Sequence, residues 1–222
     1  MMRPDRICSV SSQLKMVKGL FPGELGDLEA NGYVALRNLR PEAEGFFVIP
    51  GWRALAPTYC EAVGKVLRVC VSHRGLIDNY AGKMGREYLR ACERSEQMWR
   101  SVCLAQGRKG RNDGKDVLVL PAQLGRRYKS RSPQRARQLY EADEFGLGVY
   151  AVGMMLLANP AYLSERGDVN IDCAGDEYAP HADGIFSNTP FFEYQGAGRI
   201  MLDTYWSQYV DANYGSATGF IP

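Results

Sequence analysis

The sequence predicts an α+β fold, a single globular domain over residues 1–222 with central helices packed on a mostly antiparallel sheet built from N- and C-terminal segments. Three observations predict it. Runs rich in aromatic and β-branched residues lie towards both ends, with helical spacing between them. No repeat or Pro/Gly/Ser-rich linker divides the chain. Its 222 residues, 45% of them hydrophobic, suffice for one large core without disulfides or a structural metal.

Residues 1–30 have weak periodicity and end in Gly19, Pro22, Gly23 and Gly26, which predicts an ordered, turn-rich entry. The β-rich runs 33–39 and 46–49, separated by 40–45, predict an antiparallel pair with Trp52 at the strand exit. Thr58 and Glu61 have the spacing of a capping box, in which each side chain satisfies an amide left free at a helix start. In the helix that follows, Tyr59, Ala62, Val63, Val66, Leu67, Cys70 and Val71 share one face. A second helix is expected over 76–106, with Tyr80, Met84, Tyr88, Cys92, Met98, Trp99 and Cys103 on its apolar side. Gly82 and Gly85 each weaken it by roughly 1 kcal/mol relative to alanine and mark where it would break.

A polar loop over 106–115 leads into 116–121, whose continuous branched apolar residues predict a buried strand. Ser132-Pro133 opens a helix as cap and first residue, expected to continue to Ala158, where Asn159-Pro160 stops it. Short strands follow at 169–173, 191–194 and 199–205, the last two joined by a hairpin at Gln195-Gly196-Ala197-Gly198. The aromatic C-terminus, with Tyr205, Trp206, Tyr209, Tyr214 and Phe220, is expected to close over the core.

Several classes are excluded. The longest apolar window, 145–158, has 14 residues, short of the roughly 20 that span a bilayer as a helix, and reads as a buried helix. The start lacks the apolar stretch of a secretory signal, which predicts a cytoplasmic chain. Cys8, Cys60, Cys70, Cys92, Cys103 and Cys173 form no C-x-x-C pair and read as reduced, mostly core residues. His73 and His181 are too few for the usual zinc sets.

Charge is unevenly spread. Residues 1–104 carry 15 Lys and Arg against 11 acids, 105–137 carry 10 against 2, and 138–222 carry 2 against 12, so a net +2 conceals balances of +4, +8 and −10. Either the last two segments neutralise one another or each presents a field to a partner.

The leading functional expectation uses the basic segment. Arg126, Arg127, Lys129, Arg131, Arg135 and Arg137, with Tyr128 among them, have the composition that neutralises phosphates while a ring stacks on a base. Cations at a helix N-terminus are unfavourable unless an anion approaches. The expected protein is a non-enzymatic cytoplasmic one holding an anionic partner, nucleic acid ahead of an acidic protein.

The alternative is a metal-dependent hydrolase of phosphodiester type, in which Asp172, Asp176, Glu177 and Asp183 converge on a divalent cation and His181 serves as acid or base. The leading reading needs no cofactor. Asp168, Asn170 and Asp172 have the spacing that opens a calcium loop, but Cys173 and Ala179 stand where that loop needs glycine and glutamate, and a half-buried strand explains the alternation. Cys173 with His181 forms a weaker nucleophile pair, since nearby carboxylates oppose thiolate formation. Gly146-Leu147-Gly148-Val149-Tyr150-Ala151 spells a dinucleotide fingerprint without the preceding strand that motif requires. A second alternative is a structural or self-assembling subunit whose oppositely charged thirds pair between copies.

Overall fold

Among the described residues ten strands form one mixed sheet, and the sequence assigns its two faces to different work. The computed structural model describes residues 6–25, 39–106 and 117–221. In chain order the helices are α1 (Val10–Leu20), α2 (Pro22–Leu25), α3 (Tyr59–Arg74), α4 (Glu93–Gln106), α5 (Pro133–Leu139) and α6 (Val149–Ala158). The strands are β1 (Gly45–Pro50), β2 (Ile77–Asp78), β3 (Leu89–Ala91), β4 (Val117–Leu124), β5 (Glu144–Gly146), β6 (Asn170–Asp172), β7 (Asp176–Tyr178), β8 (Asn188–Gly196), β9 (Arg199–Trp206) and β10 (Tyr214–Phe220). The main path is β1-β4-β10-β6-β8-β7-β3, with β5 on β10, β9 on β8 and β2 on β9. Pairing is antiparallel except for β10 with β6 and β2 with β9.

One face is apolar. Leu118, Leu120, Ala122 and Leu124 of β4, Ile171, Phe192, Leu202 and Ala217 join the main core with α3 and α6. Every residue of α6 is buried, as its uniformly apolar sequence requires, and α1 and α3 pack against it. The opposite face carries Gln123, Asp172, Tyr205, Ser216 and Thr218 and is covered by the segment 126–140, where Tyr128, Ala136 and Tyr140 form a small second cluster. At the outer edge of β1, Gln13 of α1 takes the place of a strand neighbour. Its amide accepts from the Val48 N–H at 3.0 Å and donates to the Phe46 carbonyl at 2.8 Å, satisfying groups that an edge leaves open.

The α+β class, the capping box at Thr58 and Glu61, the buried β4 and the hairpin at Gly196 appear as read from the sequence. Ala197 and Gly198 carry φ values of 51° and 74°, the left-handed pair that a tight hairpin needs to match strand twist. Val71 is the exception on the predicted apolar face of α3, 47% exposed.

Three expectations are corrected. Residues 76–92 are not helical: Gly82 takes a φ of 78°, and the stretch forms β2, turns and β3 before α4 begins at Glu93. Tyr80 and Tyr88, spaced as on one helix face, instead flank Tyr178 of β7 at ring distances of 5.0 and 6.1 Å. The helix opened by Ser132 stops at Leu139, and β5 intervenes before α6, because Glu144–Gly146 pairs with β10. The sheet also draws on the middle of the chain through β2 to β5, while β10 is an interior strand. The expected strand at 33–39 and loop at 106–115 lie largely outside the described residues. Among the described residues no helix is long and apolar enough to cross a membrane.

Candidate functional site

Four segments that are distant in sequence meet beside the start of α6 and enclose a cavity of about 370 Å³. The first is the exit from β1, a short 3-10 turn, Trp52–Ala54, that carries Trp52 and Arg53 to the rim. The second is the start of α3, where Thr58 accepts from the Glu61 amide and the Glu61 carboxylate accepts from the Thr58 amide, placing Tyr59 and Cys60 at the cavity. The third runs from β3 into α4 and contributes Leu89, Arg90, Ser95 and Trp99. The fourth is the turn from β5 into α6, crossed by the turn that precedes β7.

That crossing sets the geometry. Gly175 donates its N–H to the Leu147 carbonyl at 3.0 Å, and a Cβ built on Gly175 would sit 2.6 Å from the Gly148 nitrogen. A Cβ on Gly146 would meet the Ala174 carbonyl carbon at 2.7 Å. Only glycine permits backbone to approach backbone this closely. The contact delivers Asp176 to the start of α6. Its Oδ2 accepts from the Val149 amide at 2.7 Å, and the Tyr59 hydroxyl donates to Oδ1 and Oδ2 at 2.9 and 2.8 Å.

Burial raises the Asp176 carboxyl to about 7, against the opposing pull of the Val149 amide, the Tyr59 hydroxyl and Arg137. Burial, then the adjacent Asp176 charge, holds the Tyr59 hydroxyl well above its ordinary range. The Cys60 thiol rises to about 11 through burial and the neighbouring carboxylates Asp176, Glu87 and Glu61, so it is no nucleophile at neutral pH. A larger depression of about 670 Å³ lies between α3 and the loop after Asp78, bordered by Glu61, Lys65, Arg68 and Asp78, and has no aromatic walls.

The strand absent from the sequence reading of Gly146–Ala151 is present as β5. It does not make a dinucleotide site: β5 is antiparallel to β10, and Asp176 occupies the helix start where a pyrophosphate would lie.

The residues of the basic segment divide. Arg127 lies 2.5 Å from Glu141 and 3.4 Å from Glu144, and Arg126 lies 3.7 Å from Glu44. Arg137 donates to the carbonyls of Ala174 and Asp176 at 2.9 and 2.7 Å and stands 3.9 Å from Glu177. These three arginines are thus engaged within the chain, although Arg126 and Arg127 remain exposed. Tyr128 is buried, donates to Glu144 at 2.7 Å and meets the Tyr140 ring edge-on at 5.4 Å, which corrects its expected role as a stacking platform. Lys129, Arg131 and Arg135 are exposed, and among the described residues none of them forms an ion pair.

The acidic residues do not converge. Among the described residues no group of three or more His, Cys, Asp or Glu side chains is arranged to hold a metal ion. Asp172 points to the polar face, where it accepts from the Tyr205 hydroxyl, whereas Asp176 borders the cavity. Glu177 pairs with Arg90 at 2.8 Å, and Asp183 accepts from the Ile185 amide at 2.9 Å in an exposed turn. Cys173 is wholly buried, with its thiol raised by burial and then by Asp176 and Asp172, while His181 is exposed, so no nucleophile pair forms.

Sequence reasoning missed Trp52, Tyr59 and Trp99 as site residues, since each was accounted for by a strand exit or an apolar helix face. The signal available was the small pair Ala174-Gly175 directly before Asp176, which marks close backbone approach beside a carboxylate. No family model, no curated protein and no solved structure matches the chain.

Proposed function

We propose that this protein binds a small, largely apolar molecule in the cavity beside the start of α6. The observation that carries the reading is the combination of aromatic walls with a buried Asp176–Tyr59 pair at one concave place. A concave, mostly apolar pocket with a few convergent polar groups and a displaced pKa is the usual form of a ligand site, and about 370 Å³ lies within the range that holds such ligands.

The test uses indole as probe and isothermal calorimetry as readout. Saturable binding is expected in the native chain. Ala91→Trp, which fills the cavity from β3, is expected to abolish it while the far-ultraviolet circular dichroism stays native. Absence of saturable binding in the native chain, or equal binding in the two proteins, would overturn the reading.

A second reading is favoured by a separate surface. Trp206, Tyr209 and Val210 are 72%, 54% and 56% exposed. The Ser130 amide donates to the Tyr214 carbonyl at 2.9 Å and the Gln134 amide to the Ser207 carbonyl at 2.8 Å, so the segment that carries Lys129, Arg131 and Arg135, without ion pairs among the described residues, runs beside this loop, which also holds Asp211. Cations beside an exposed indole suit a single-stranded nucleic acid, whose bases stack for about 1–3 kcal/mol each. Trp206→Ala is expected to weaken binding of a labelled oligo-uridylate at least about fivefold, and Lys129→Glu with Arg131→Glu to flatten its salt dependence. An unchanged affinity in both variants would remove this reading.

A further inference from the structure

The rings around the cavity form two separate groups. Trp52 meets Tyr59 edge-on at 6.3 Å, and Tyr59 meets Tyr150 at 6.3 Å, tilted by 58°. Elsewhere along the lining Trp99 meets Phe145 edge-on at 6.4 Å. Both groups border the same space, and among the described residues no ring of one is in contact with a ring of the other. A space bordered by several aromatic rings accommodates a flat ring better than a branched aliphatic body, because offset and edge-on ring packing adds to the area buried.

The charges of the rim narrow the choice further. The ionisable residues bordering the cavity are Arg53, Arg90, Arg100, Glu96, Asp176 and the half-buried Cys60, together with Tyr59 and Tyr150. Arg90 is engaged by Glu177 at 2.8 Å and Arg100 by Glu96 one helical turn away. Asp176 is sealed beneath the Tyr59 hydroxyl and the Val149 amide. Arg53 is different: it is exposed, and among the described residues it makes no ion pair, its guanidinium lying over the Trp52 ring at 4.1 Å from the centroid. A guanidinium held on the face of an aromatic wall keeps its donor edge free for an anion while its plane stays fixed.

We infer that the cavity takes a flat aromatic ring bearing an acidic group, with the ring packed against the lining aromatic side chains and the acid on Arg53 at the rim. This rests on the cavity reading above and adds the chemical class of the occupant. The acid is a carboxylate or a phosphate, since both offer the paired oxygens that a guanidinium binds.

The experiment compares matched probes by isothermal calorimetry at low salt: indole-3-acetate against indole, and adenosine 5′-monophosphate against adenosine. In at least one pair the acid is expected to bind about tenfold to a hundredfold more tightly than its neutral partner. Arg53→Gln should reduce that ratio to about one without weakening the neutral probe, and Arg53→Lys should restore part of it. The pair showing the preference identifies carboxylate or phosphate. Neutral probes binding as tightly as acids, or a preference that survives in Arg53→Gln, would overturn the inference and leave the cavity reading standing. Binding of none of the four would remove the cavity reading and the inference with it.

Discussion

Replacing Gly175 by alanine is expected to leave little native protein at 37 °C. The new methyl would meet the Gly146 carbonyl oxygen at less than van der Waals distance, with the Gly148 nitrogen and the Leu147 carbonyl carbon each 2.6 Å away. All three are backbone atoms, so no side chain can swing aside to make room. Separating the turns stretches the 3.0 Å bond from Gly175 to the Leu147 carbonyl and the 2.9 Å bond from Cys92 to the Gly175 carbonyl. It also draws Asp176 off the start of α6, the most completely buried helix of the fold. Overpacking in a core costs about 1–3 kcal/mol, and each buried hydrogen bond left unmade adds about 1–3 kcal/mol. The sum is comparable with the whole stability of an ordinary domain, about 5–15 kcal/mol. Gly167→Ala is the matched control: its Cβ would meet nothing within 4 Å, so its only penalty is the positive φ of 96°. Expression yield and the urea midpoint of the two variants check the expectation, and a Gly175→Ala protein as stable as the Gly167→Ala control would refute it.

The crossing of these two turns also shows how much of the site the sequence could reveal. Local rules were readable where one segment suffices. Thr58 and Glu61 are three residues apart and cap a helix wherever they occur in that order. The hairpin at Ala197-Gly198 needs only its own φ values. The cavity has no such signature, because its walls come from residues 52–60, 89–100, 145–151 and 175–176, and its decisive hydrogen bond joins Tyr59 to Asp176 across 117 positions.

Periodicity misled where spacing by four served another purpose. Tyr80 and Tyr88 sit eight apart because they grip one ring of β7 from two sides, not because they share a helix face. The strand Glu144–Gly146 is three residues long, and its hydrophobicity merges with that of α6, so no change of period announces it.

The basic segment was half readable for an electrostatic reason. Its composition is visible, but the direction of each side chain depends on Glu44, Glu141 and Glu144, which reach it only through the folded sheet. Arg126 and Arg127 stay exposed but are engaged by Glu44, Glu141 and Glu144, half-buried Arg137 donates to backbone carbonyls, and only Tyr128 is buried. Lys129, Arg131 and Arg135 stay outside beside the exposed Trp206 loop. One run of similar residues therefore serves both structure and surface.

Stability should fall as pH rises from about 4 to 7, against the behaviour of proteins whose carboxylates are salt-bridged. Burial raises Asp172 and Asp176 each to about 7 from an ordinary value near 3.8. The folded chain therefore retains two protons that the unfolded chain releases across this interval. Bound protons in excess in the folded state make the derivative of unfolding free energy with pH negative. The contribution is fully present below about pH 4 and is lost as pH passes 7. At about 1.4 kcal/mol per unit of pKa, each group accounts for up to about 4 kcal/mol.

The two carboxyls reach this condition differently. Among the described residues Asp172 Oδ2 and the Oγ of Ser216, its register neighbour on β10, each lack a hydrogen-bond partner, so only the Tyr205 hydroxyl on Oδ1 offsets the burial of the charge by hydrogen bonding. Asp176 faces the Val149 amide and the Tyr59 hydroxyl, both donors, so its charge is opposed by burial and, more weakly, by Glu177. Urea midpoints at pH 5 and pH 8 should differ in favour of pH 5, with the helical circular dichroism as reporter. Asp172→Asn and Asp176→Asn keep the shape while removing the proton, and each should flatten the profile by its own share. A midpoint that rises from pH 5 to pH 8, with a slope unmoved by either substitution, would show that these carboxylates are ionised in the folded protein and solvated by something other than the groups that surround them.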